Sequence, residues 1–267
     1  MKVGFIPPVP ELHRYGLGVG NFALLLSHLV DEFPGYAKFY KEQRIHNDTF
    51  LCLDNSAHED GKGHDPEKLW MQAHLLHAQE IVAPDELDSW HGTCERSTEA
   101  IQLWGSFPKH PTVKSIMVVP QGQDALEWYH CLCNLIELHN DYLSGRYDLV
   151  VGLSKDYEVW PGGLLHLIEE YLNPMRWKHG FDVHLLGWGR NLWALAEIGK
   201  IHRWIRSTDS AKPFVYALHD IEIDPQADPP QYPKRPKDYF TRQFGETQVE
   251  IANWNAKTFL AASRGIR

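Results

Sequence analysis

In Glu80-Ile-Val-Ala-Pro-Asp85 a short apolar run ends directly in an aspartate. A predicted strand is likewise followed by a polar side chain at Phe50-Leu-Cys-Leu-Asp54, Met117-Val-Val-Pro-Gln121 and Trp204-Ile-Arg-Ser-Thr-Asp209. Buried parallel strands have such near-continuous apolar runs, and the loops that follow barrel strands build active sites. The repeated pattern therefore predicts an α/β protein whose strands deliver polar side chains to one shared rim.

Seven apolar runs are predicted to be strands, and the amphipathic segments between them are predicted to be helices. The predicted strands are Lys2 to Ile6, Phe50 to Leu53, Glu80 to Ala83, Ser115 to Val119, Asp148 to Gly152, Asp182 to Leu186 and His202 to Ser207. Phe214 to Leu218, after the turn at Pro213, is the candidate for an eighth strand. This alternation is typical of an α/β (β/α)8 TIM barrel, here irregular or incomplete at the last strand.

The length of the chain is compatible with one domain. A chain of 267 residues can form a single TIM-barrel catalytic domain, although two small domains also fit this length. Asp65 before Pro66 predicts a helix start, and Gly180 and Gly199 predict helix ends. The Pro- and Asp-rich stretch 224–236 predicts an irregular carboxy-terminal extension from about residue 220, followed by a helix over 248–262.

The composition excludes several classes of protein. Apolar residues make up 43% of the chain and charged residues 23%, which is typical of a globular protein and not of a disordered one. No apolar run approaches the roughly 18 residues of a membrane span, and the amino terminus does not have the pattern of a leader. The protein is therefore expected in the cytoplasm, or in the host cytoplasm if it is viral, with four free thiols and no membrane partner.

The charge balance bears on nucleic-acid binding. A net charge of −9 argues against non-specific binding, because contacts to phosphates need positive charge. Basic residues nevertheless outnumber acidic ones between residues 174 and 206. The weak candidates for nucleic-acid contact are Arg190, Arg203, Arg206 and Lys212. A solvated charged surface is the alternative interpretation of each of them.

Three aspartates and a glutamine stand at equivalent strand ends, namely Asp54, Asp85, Asp209 and Gln121. A loop aspartate that caps the next helix is the structural alternative for any single one of them. Paired carboxylates suit displacement at an anomeric carbon, because one can attack the sugar while the other protonates the departing group. The pattern therefore indicates a site for chemistry at a glycosidic bond.

Five segments, in order, resemble the tRNA-guanine transglycosylases and especially their phage DNA-guanine transglycosylase relatives, the DpdA type. The segments are Leu53-Asp-Asn-Ser-Ala-His-Glu59, Val82-Ala-Pro-Asp-Glu86, Val118-Val-Pro-Gln-Gly122, Val150-Val-Gly-Leu-Ser154 and His184-Leu-Leu-Gly-Trp-Gly189. They are similar to the family's first aspartate loop, its second aspartate-bearing strand end, its Val-Gln-Gly segment, its Gly-Gly-Leu-Ala turn and its Leu-Met-Gly-Val-Gly strand. Each segment is common by itself, and their order is the more specific feature.

The resemblance implies a double displacement without a cofactor. Asp209 would attack C1′ and expel guanine, and Asp85 would act as acid, then as base, and read the purine edge. Asp54 and Asn55 would support or bind the base, and the positions of Gln121, Gly152 and Leu153 match those where the family contacts it. The incoming base would be a 7-deazaguanine such as 7-cyano-7-deazaguanine. Aromatic side chains near the strand ends could line the pocket, with core packing as the alternative for each, namely Tyr157, Trp160 and Trp188.

The sequence departs from the family at the zinc site. The family's Cys-x-Cys-x-x-Cys pattern is absent. Cys131-Leu-Cys133 with His139 matches only part of it and lies within one predicted helix. We therefore predict no structural metal. The missing segment favours a compact viral enzyme that acts on DNA, with tRNA as the alternative substrate. Asp220 is the reserve candidate for the nucleophile, since the match around the last strand is ambiguous.

Two functions from other classes are also compatible with the sequence. The first is a non-catalytic subunit that binds nucleic acid or a base beside a partner enzyme. The second is a metal-dependent barrel hydrolase that uses histidines such as His74 and His77. The sequence does not decide whether an accessory protein or a homodimer is required.

Overall fold

The computed structural model describes residues 1–18, 21–188, 192–224 and 233–266. Eight strands belong to one sheet with the order β1-β8-β7-β6-β5-β4-β3-β2. Their bounds are β1 Lys2–Phe5, β2 Phe22–Leu26, β3 Phe50–Asp54, β4 Glu80–Val82, β5 Ser115–Val118, β6 Asp148–Ser154, β7 Asp182–Leu186 and β8 Ile205–Ser210. Parallel strands in this order, alternating with helices, define an α/β fold of the TIM-barrel type, with β1 and β2 at the two ends of the hydrogen-bonded order.

Twelve α-helices are found in the part of the chain that the structure describes. They are α1 Leu12–Tyr15, α2 Ser27–Glu32, α3 Pro34–Asn47, α4 Ala57–Asp60, α5 Pro66–Leu76, α6 Trp90–Ser106, α7 Ala125–Tyr142, α8 Gly163–His166, α9 Asn173–His179, α10 Leu192–Ile201, α11 Lys212–Leu218 and α12 Glu246–Ser263. Short 3₁₀ turns span Val9–Glu11, Lys155–Val159 and Tyr239–Thr241, and one π-helical turn spans Leu167–Leu172. None of these described helices is long and apolar enough to cross a bilayer.

The chain divides into two compact units, of which the first comprises residues 1–24 and 185–267. Within it β1 and β8 pair in parallel, with Gly4 opposite Asp209. Its core is aromatic, and the Phe5 and Phe214 rings pack edge to face with their centroids 5.4 Å apart. The buried Tyr239 hydroxyl donates to the carbonyl of Ile6 over 2.6 Å, which ties the carboxy-terminal part of the chain to the end of β1.

The second unit comprises residues 25–184 and contains β3 to β6 with their helices. These strands pair in parallel, with Ile81 of β4 between Leu53 of β3 and Ile116 of β5. All three side chains are fully buried, as expected for strands covered on both faces. Trp104 of α6 is fully buried and donates its indole N–H to the carbonyl of Pro66 over 3.0 Å.

The seven predicted strands are confirmed, but the prediction of the eighth was wrong. Residues 214–218 belong to helix α11, whose first turn contains Pro213. The missed strand is β2, all five residues of which are buried. Its sequence Phe-Ala-Leu-Leu-Leu lacks β-branched residues, so its composition does not separate a strand from a buried helical segment. β8 runs from Ile205 to Ser210, later than predicted.

The predicted helix ends are confirmed at Asp65 and Gly180. The Asp65 side chain accepts a hydrogen bond from Lys68 N at the start of α5, and Gly180 ends α9 in the left-handed conformation. Gly199 was wrongly predicted as a helix end, because α10 continues to Ile201. A Cβ at Gly199 would lie 2.8 Å from the carbonyl oxygen of Ser263, so this glycine allows α12 to approach α10 closely.

The structure describes only part of the predicted carboxy-terminal region. The predicted helix over 248–262 lies within α12, Glu246–Ser263. Residues 225–232 of the predicted irregular extension lie outside the described residues. The single catalytic domain stays a prediction.

Candidate active site

Asp85 lies in the second unit, three residues after β4, with 3% of its surface exposed. Pro84 cannot donate a ladder hydrogen bond, which is consistent with β4 ending at Val82. Two amide side chains hold the carboxylate. Asn55 Nδ2 donates to Oδ1 over 2.7 Å, and Gln121 Nε2 donates to Oδ2 over 2.6 Å. The ends of three neighbouring strands, β3, β4 and β5, thus bring three predicted site residues together.

Asn55 is fixed in its orientation by the backbone around it. Its Nδ2 also donates to the carbonyl of Ala83 over 2.6 Å, and its Oδ1 accepts from Ala57 N over 2.8 Å. The residue is only 1% exposed. Both ends of the amide therefore have backbone partners, which leaves an N–H directed at Asp85.

Gln121 is held by a tyrosine from the next loop. The hydroxyl of Tyr157 lies 2.7 Å from Gln121 Oε1 and 2.8 Å from the carbonyl oxygen of Pro120. Because the Tyr157 hydroxyl donates to Oε1, the side-chain nitrogen of Gln121 points towards Asp85. Tyr157 is 2% exposed and stacks on Trp160, with ring centroids 4.2 Å apart. A relay of hydrogen bonds thus runs from Tyr157 through Gln121 to Asp85.

The electrostatics of Asp85 are dominated by burial. Burial raises the pKa of this carboxyl from 3.8 to about 6, against the opposing effects of the hydrogen bonds from Asn55, from Gln121 and from its own backbone amide. Both side-chain partners are donors, so their hydrogen bonds favour the ionised form, whereas burial favours the neutral form. Burial, and then the negative charge of Asp85, raise the pKa of Tyr157 well above its ordinary value, which keeps it a hydroxyl donor.

The site can accept further hydrogen bonds. A carboxylate oxygen has two lone pairs, and each oxygen of Asp85 accepts one of the two side-chain hydrogen bonds described above. The backbone amide of Asp85 also donates to this carboxylate, so one acceptor position is left for a ligand donor. Two parallel N–H groups match a carboxylate in bidentate fashion, and a ligand of this kind would also replace the backbone amide.

Asp54 is the last residue of β3 and half-buried. Its Oδ2 accepts from Ser56 N over 2.9 Å, and Ser56 has a left-handed φ of 63°. The Ser56 hydroxyl in turn lies 2.9 Å from His28 Nδ1. Asp54 thus stabilises the tight turn that presents Asn55. Its base-binding role stays a prediction.

Gly152 and Leu153 are buried within β6, Asp148–Ser154, and not in a turn. Their predicted contacts to a base stay untested. Tyr157, in the 3₁₀ turn that follows β6, was predicted only as an aromatic residue near a strand end. Its hydrogen bond to Gln121 was missed, because no sequence spacing connects two residues 36 positions apart.

Asp209 lies in the first unit, within β8 and not after it. It is 2% exposed, and its Oδ1 accepts from Gly187 N over 2.9 Å. Trp188, which is 1% exposed, is part of the core. Asp220, the reserve candidate, is exposed after α11 and has a φ of 55°. The role of Asp209 as nucleophile stays a prediction.

The four basic candidates have different surroundings. Arg203 is exposed, whereas Arg206 is half-buried in β8 with its Nε 3.2 Å from Ser207 Oγ. The Lys212 ammonium lies 5.6 Å from the centre of the Tyr216 ring. Arg190 lies outside the described residues. Contact of these side chains with nucleic acid stays a prediction.

The cysteines of α7 have separate environments. Cys131 is buried with its sulfur 3.8 Å from that of Cys94, whereas Cys133 is partly exposed. Among the residues described, no three His, Cys, Asp or Glu side chains are grouped to hold a metal ion. The expectation that the protein has no structural zinc stays a prediction.

Comparison with known proteins finds a solved structure that is weakly similar to this chain. No protein-family model and no curated protein matches the chain. A structure described as "PhdJ bound to substrate intermediate" has a TM-score of 0.42 and 10% identity, over 98% of this chain and 95% of that chain. The resemblance to guanine transglycosylases therefore depends on the five segments quoted above.

Proposed function

We propose that the protein is a guanine transglycosylase that exchanges guanine in DNA for a 7-deazaguanine base, with tRNA as the alternative substrate. The observation that carries the proposal is the buried Asp85 carboxylate, oriented by Asn55 and Gln121 at the ends of adjacent strands. A carboxylate fixed in this way is preorganised to receive a ligand, because its geometry does not change on binding.

The donor edge of guanine matches this carboxylate. Guanine presents N1–H and the 2-amino group side by side; one donor takes the acceptor position left on the Asp85 carboxylate, and the other takes the place of the Asp85 backbone amide. Adenine has an unprotonated N1 at the same place, so its lone pair would face a buried negative charge. A site built for two donors rejects a base that lacks them, since buried acceptors then go unpaired.

The proton chemistry follows from the raised pKa of Asp85, about 6. At pH 7 about one molecule in ten is protonated, which is enough for the residue to deliver a proton to departing guanine and to regain one from the incoming base. Both side-chain partners of the carboxyl are donors, and their hydrogen bonds stabilise its charged form. We infer that the resting form is the carboxylate that binds the base.

The resemblance supplies the covalent step. In the first displacement a carboxylate oxygen of Asp209 forms a bond to C1′, the bond from C1′ to the guanine nitrogen breaks, and guanine leaves with a proton. In the second, the nitrogen of the deazaguanine attacks C1′, the ester bond breaks, and the incoming base loses a proton. Because the target must leave its base stack, at a cost of a few kcal/mol, single-stranded DNA should react faster than a duplex.

The test is mass analysis of nucleosides after incubation of the protein with DNA or tRNA and 7-cyano-7-deazaguanine. The proposal predicts the deazaguanine nucleoside in DNA with release of guanine, and loss of both in the Asp85→Asn protein. Binding of the base without exchange on either nucleic acid would instead make the protein a non-catalytic base-binding subunit. Absence of both binding and exchange would overturn the proposal.

A further inference from the structure

Cys94 and Cys131 face each other across the contact between two long helices. Cys94 belongs to α6 and Cys131 to α7, and their sulfur atoms lie 3.8 Å apart. Cys94 is partly exposed, whereas Cys131 is fully buried. One thiol is thus open to solvent and the second lies directly behind it.

We propose that Cys94 and Cys131 are a redox modification site, which hydrogen peroxide converts to a disulfide, and that this oxidation is transmitted to Gln121. The proposal goes beyond the transglycosylase activity and does not depend on it. It rests on the sulfur–sulfur distance, on the unequal exposure of the two thiols and on the contact between Cys131 and Gln121.

The pair has the asymmetry of an attacking and a resolving thiol. The hydrogen bond with Cys131, and a weaker one from Asn134, lower the pKa of Cys94 against the effect of its partial burial. The same hydrogen bond and burial raise the pKa of Cys131. Of the two thiols, Cys94 is therefore the one that ionises more readily and meets the oxidant first.

The oxidation balances with one peroxide. The Cys94 thiolate attacks one oxygen of hydrogen peroxide, the O–O bond breaks, and hydroxide leaves, which gives a sulfenic acid. The Cys131 sulfur then attacks the Cys94 sulfur, the S–O bond breaks, and the departing hydroxide takes the thiol proton of Cys131 as water. The proton that Cys94 released neutralises the first hydroxide. In total two thiols are oxidised and one peroxide is reduced to two waters.

The connection to the candidate active site is short. The backbone N–H of Gln121 donates to Cys131 Sγ over 3.5 Å, and the side chain of the same residue donates to Asp85. A disulfide requires the sulfurs to close from 3.8 Å to about 2 Å, which draws Cys131 towards α6. The contact with Gln121 N lengthens or weakens as a result. Oxidation thus acts on the residue that orients the Asp85 carboxylate.

The chemical test uses the full chain with hydrogen peroxide. The number of thiols that react after denaturation should fall from four to two, and digestion without reductant should give a peptide linked between Cys94 and Cys131. Cys94→Ser should abolish the linkage. Cys133→Ser, two positions along the same helix, should leave it unchanged. A Cys94–Cys133 linkage, or overoxidation of Cys94 without a linkage, would overturn the proposal.

The structural test follows the backbone amide of Gln121 by NMR in ¹⁵N-labelled protein. Peroxide should shift this resonance in the unmodified chain, dithiothreitol should restore it, and in the Cys94→Ser protein peroxide should leave it in place. Linkage without any shift at Gln121 would overturn the transmission part of the proposal. Neither the disulfide mapping nor the NMR shift needs enzymatic activity, so failure of the redox proposal is distinguishable from failure of the proposed function.

Discussion

The side-chain amide of Gln121 donates to the carboxylate of Asp85 over 2.6 Å, although the two residues lie 36 positions apart. Tyr157 orients the other end of the same amide, so the direction of the Gln121 N–H depends on a hydroxyl in a third loop. Both amide partners of Asp85 are buried, as is the tyrosine. The candidate site is therefore a cooperative network, in which loss of one hydrogen bond weakens the orientation of the other side chains.

Tyr157→Phe should destabilise the protein and loosen Gln121. The change removes the hydroxyl that serves Gln121 Oε1 and the Pro120 carbonyl, and a buried acceptor left without a partner costs about 1–3 kcal/mol. Urea unfolding measures this loss. Tyr142→Phe is the matched control, because the Tyr142 hydroxyl bonds to Gln102 at an exposed position, and its effect should stay within about 0.5 kcal/mol. Equal effects of the two changes would contradict the role of Tyr157.

Gln121→Leu should raise the pKa of Asp85 above about 6, since it removes a hydrogen bond that lowers this pKa. A hydrogen bond to a charged group contributes about 1.5–3 kcal/mol, which corresponds to a rise of about one to two pH units. Titration of the ¹³C-labelled carboxyl by NMR measures the pKa directly. The control is Gln123→Leu at a neighbouring exposed position, which should leave the titration unchanged. An unchanged Asp85 titration in Gln121→Leu would remove Gln121 from the network.

Asp85 should make stability decrease as pH rises. Its pKa is about 6 in the folded protein against 3.8 as the ordinary value, so between these values the folded state binds more protons than the unfolded state. The free energy of unfolding should fall from about pH 4 to about pH 6, by about 3 kcal/mol from this group, and then level off. Subtracting the unfolding free energy of Asp85→Asn at each pH isolates this effect. A difference that rises with pH, or does not change, would be inconsistent with a raised pKa.

Asp209→Ala should abolish the covalent adduct between protein and DNA. The proposed intermediate is an ester of this carboxylate, so its removal leaves no group to form the bond. Denaturing electrophoresis with labelled DNA detects the adduct. Asp220→Ala serves as control, since Asp220 is an exposed carboxylate. Retention of the adduct in Asp209→Ala with its loss in Asp220→Ala would reverse the assignment.

Sequence pattern predicted the fold because most strands of a parallel sheet are continuous apolar runs with distinct ends. Glu80 to Val82 and Ser115 to Val118 show this clearly. The failure at β2 has a physical cause, since its Ala and Leu residues are good helix formers and only tertiary contacts make the segment extended. The opposite error occurred at residues 214–218, which were predicted as a strand and form a helix. A short apolar run after a proline also suits a helix with Pro213 in its first turn.

The positions of the candidate site were only partly predictable. Asp85, Gln121 and Asn55 follow successive strands, so parallel pairing alone places them near one another. The hydrogen bonds among them depend on side-chain rotamers and on Tyr157, which no periodicity indicates. The burial that raises the pKa of Asp85 likewise results from packing of the whole unit and not from local sequence.

In the proposed function the Asp85 carboxylate accepts two N–H donors from a guanine-like base. Calorimetric titration with 7-deazaguanine and with 7-deazahypoxanthine, which lacks the 2-amino group, tests it most directly. We expect the unmodified protein to bind 7-deazaguanine about 10- to 100-fold more tightly than 7-deazahypoxanthine, and the Asp85→Asn protein to lose this preference. Equal binding of both bases by the unmodified protein, or a preference that survives in Asp85→Asn, would contradict it.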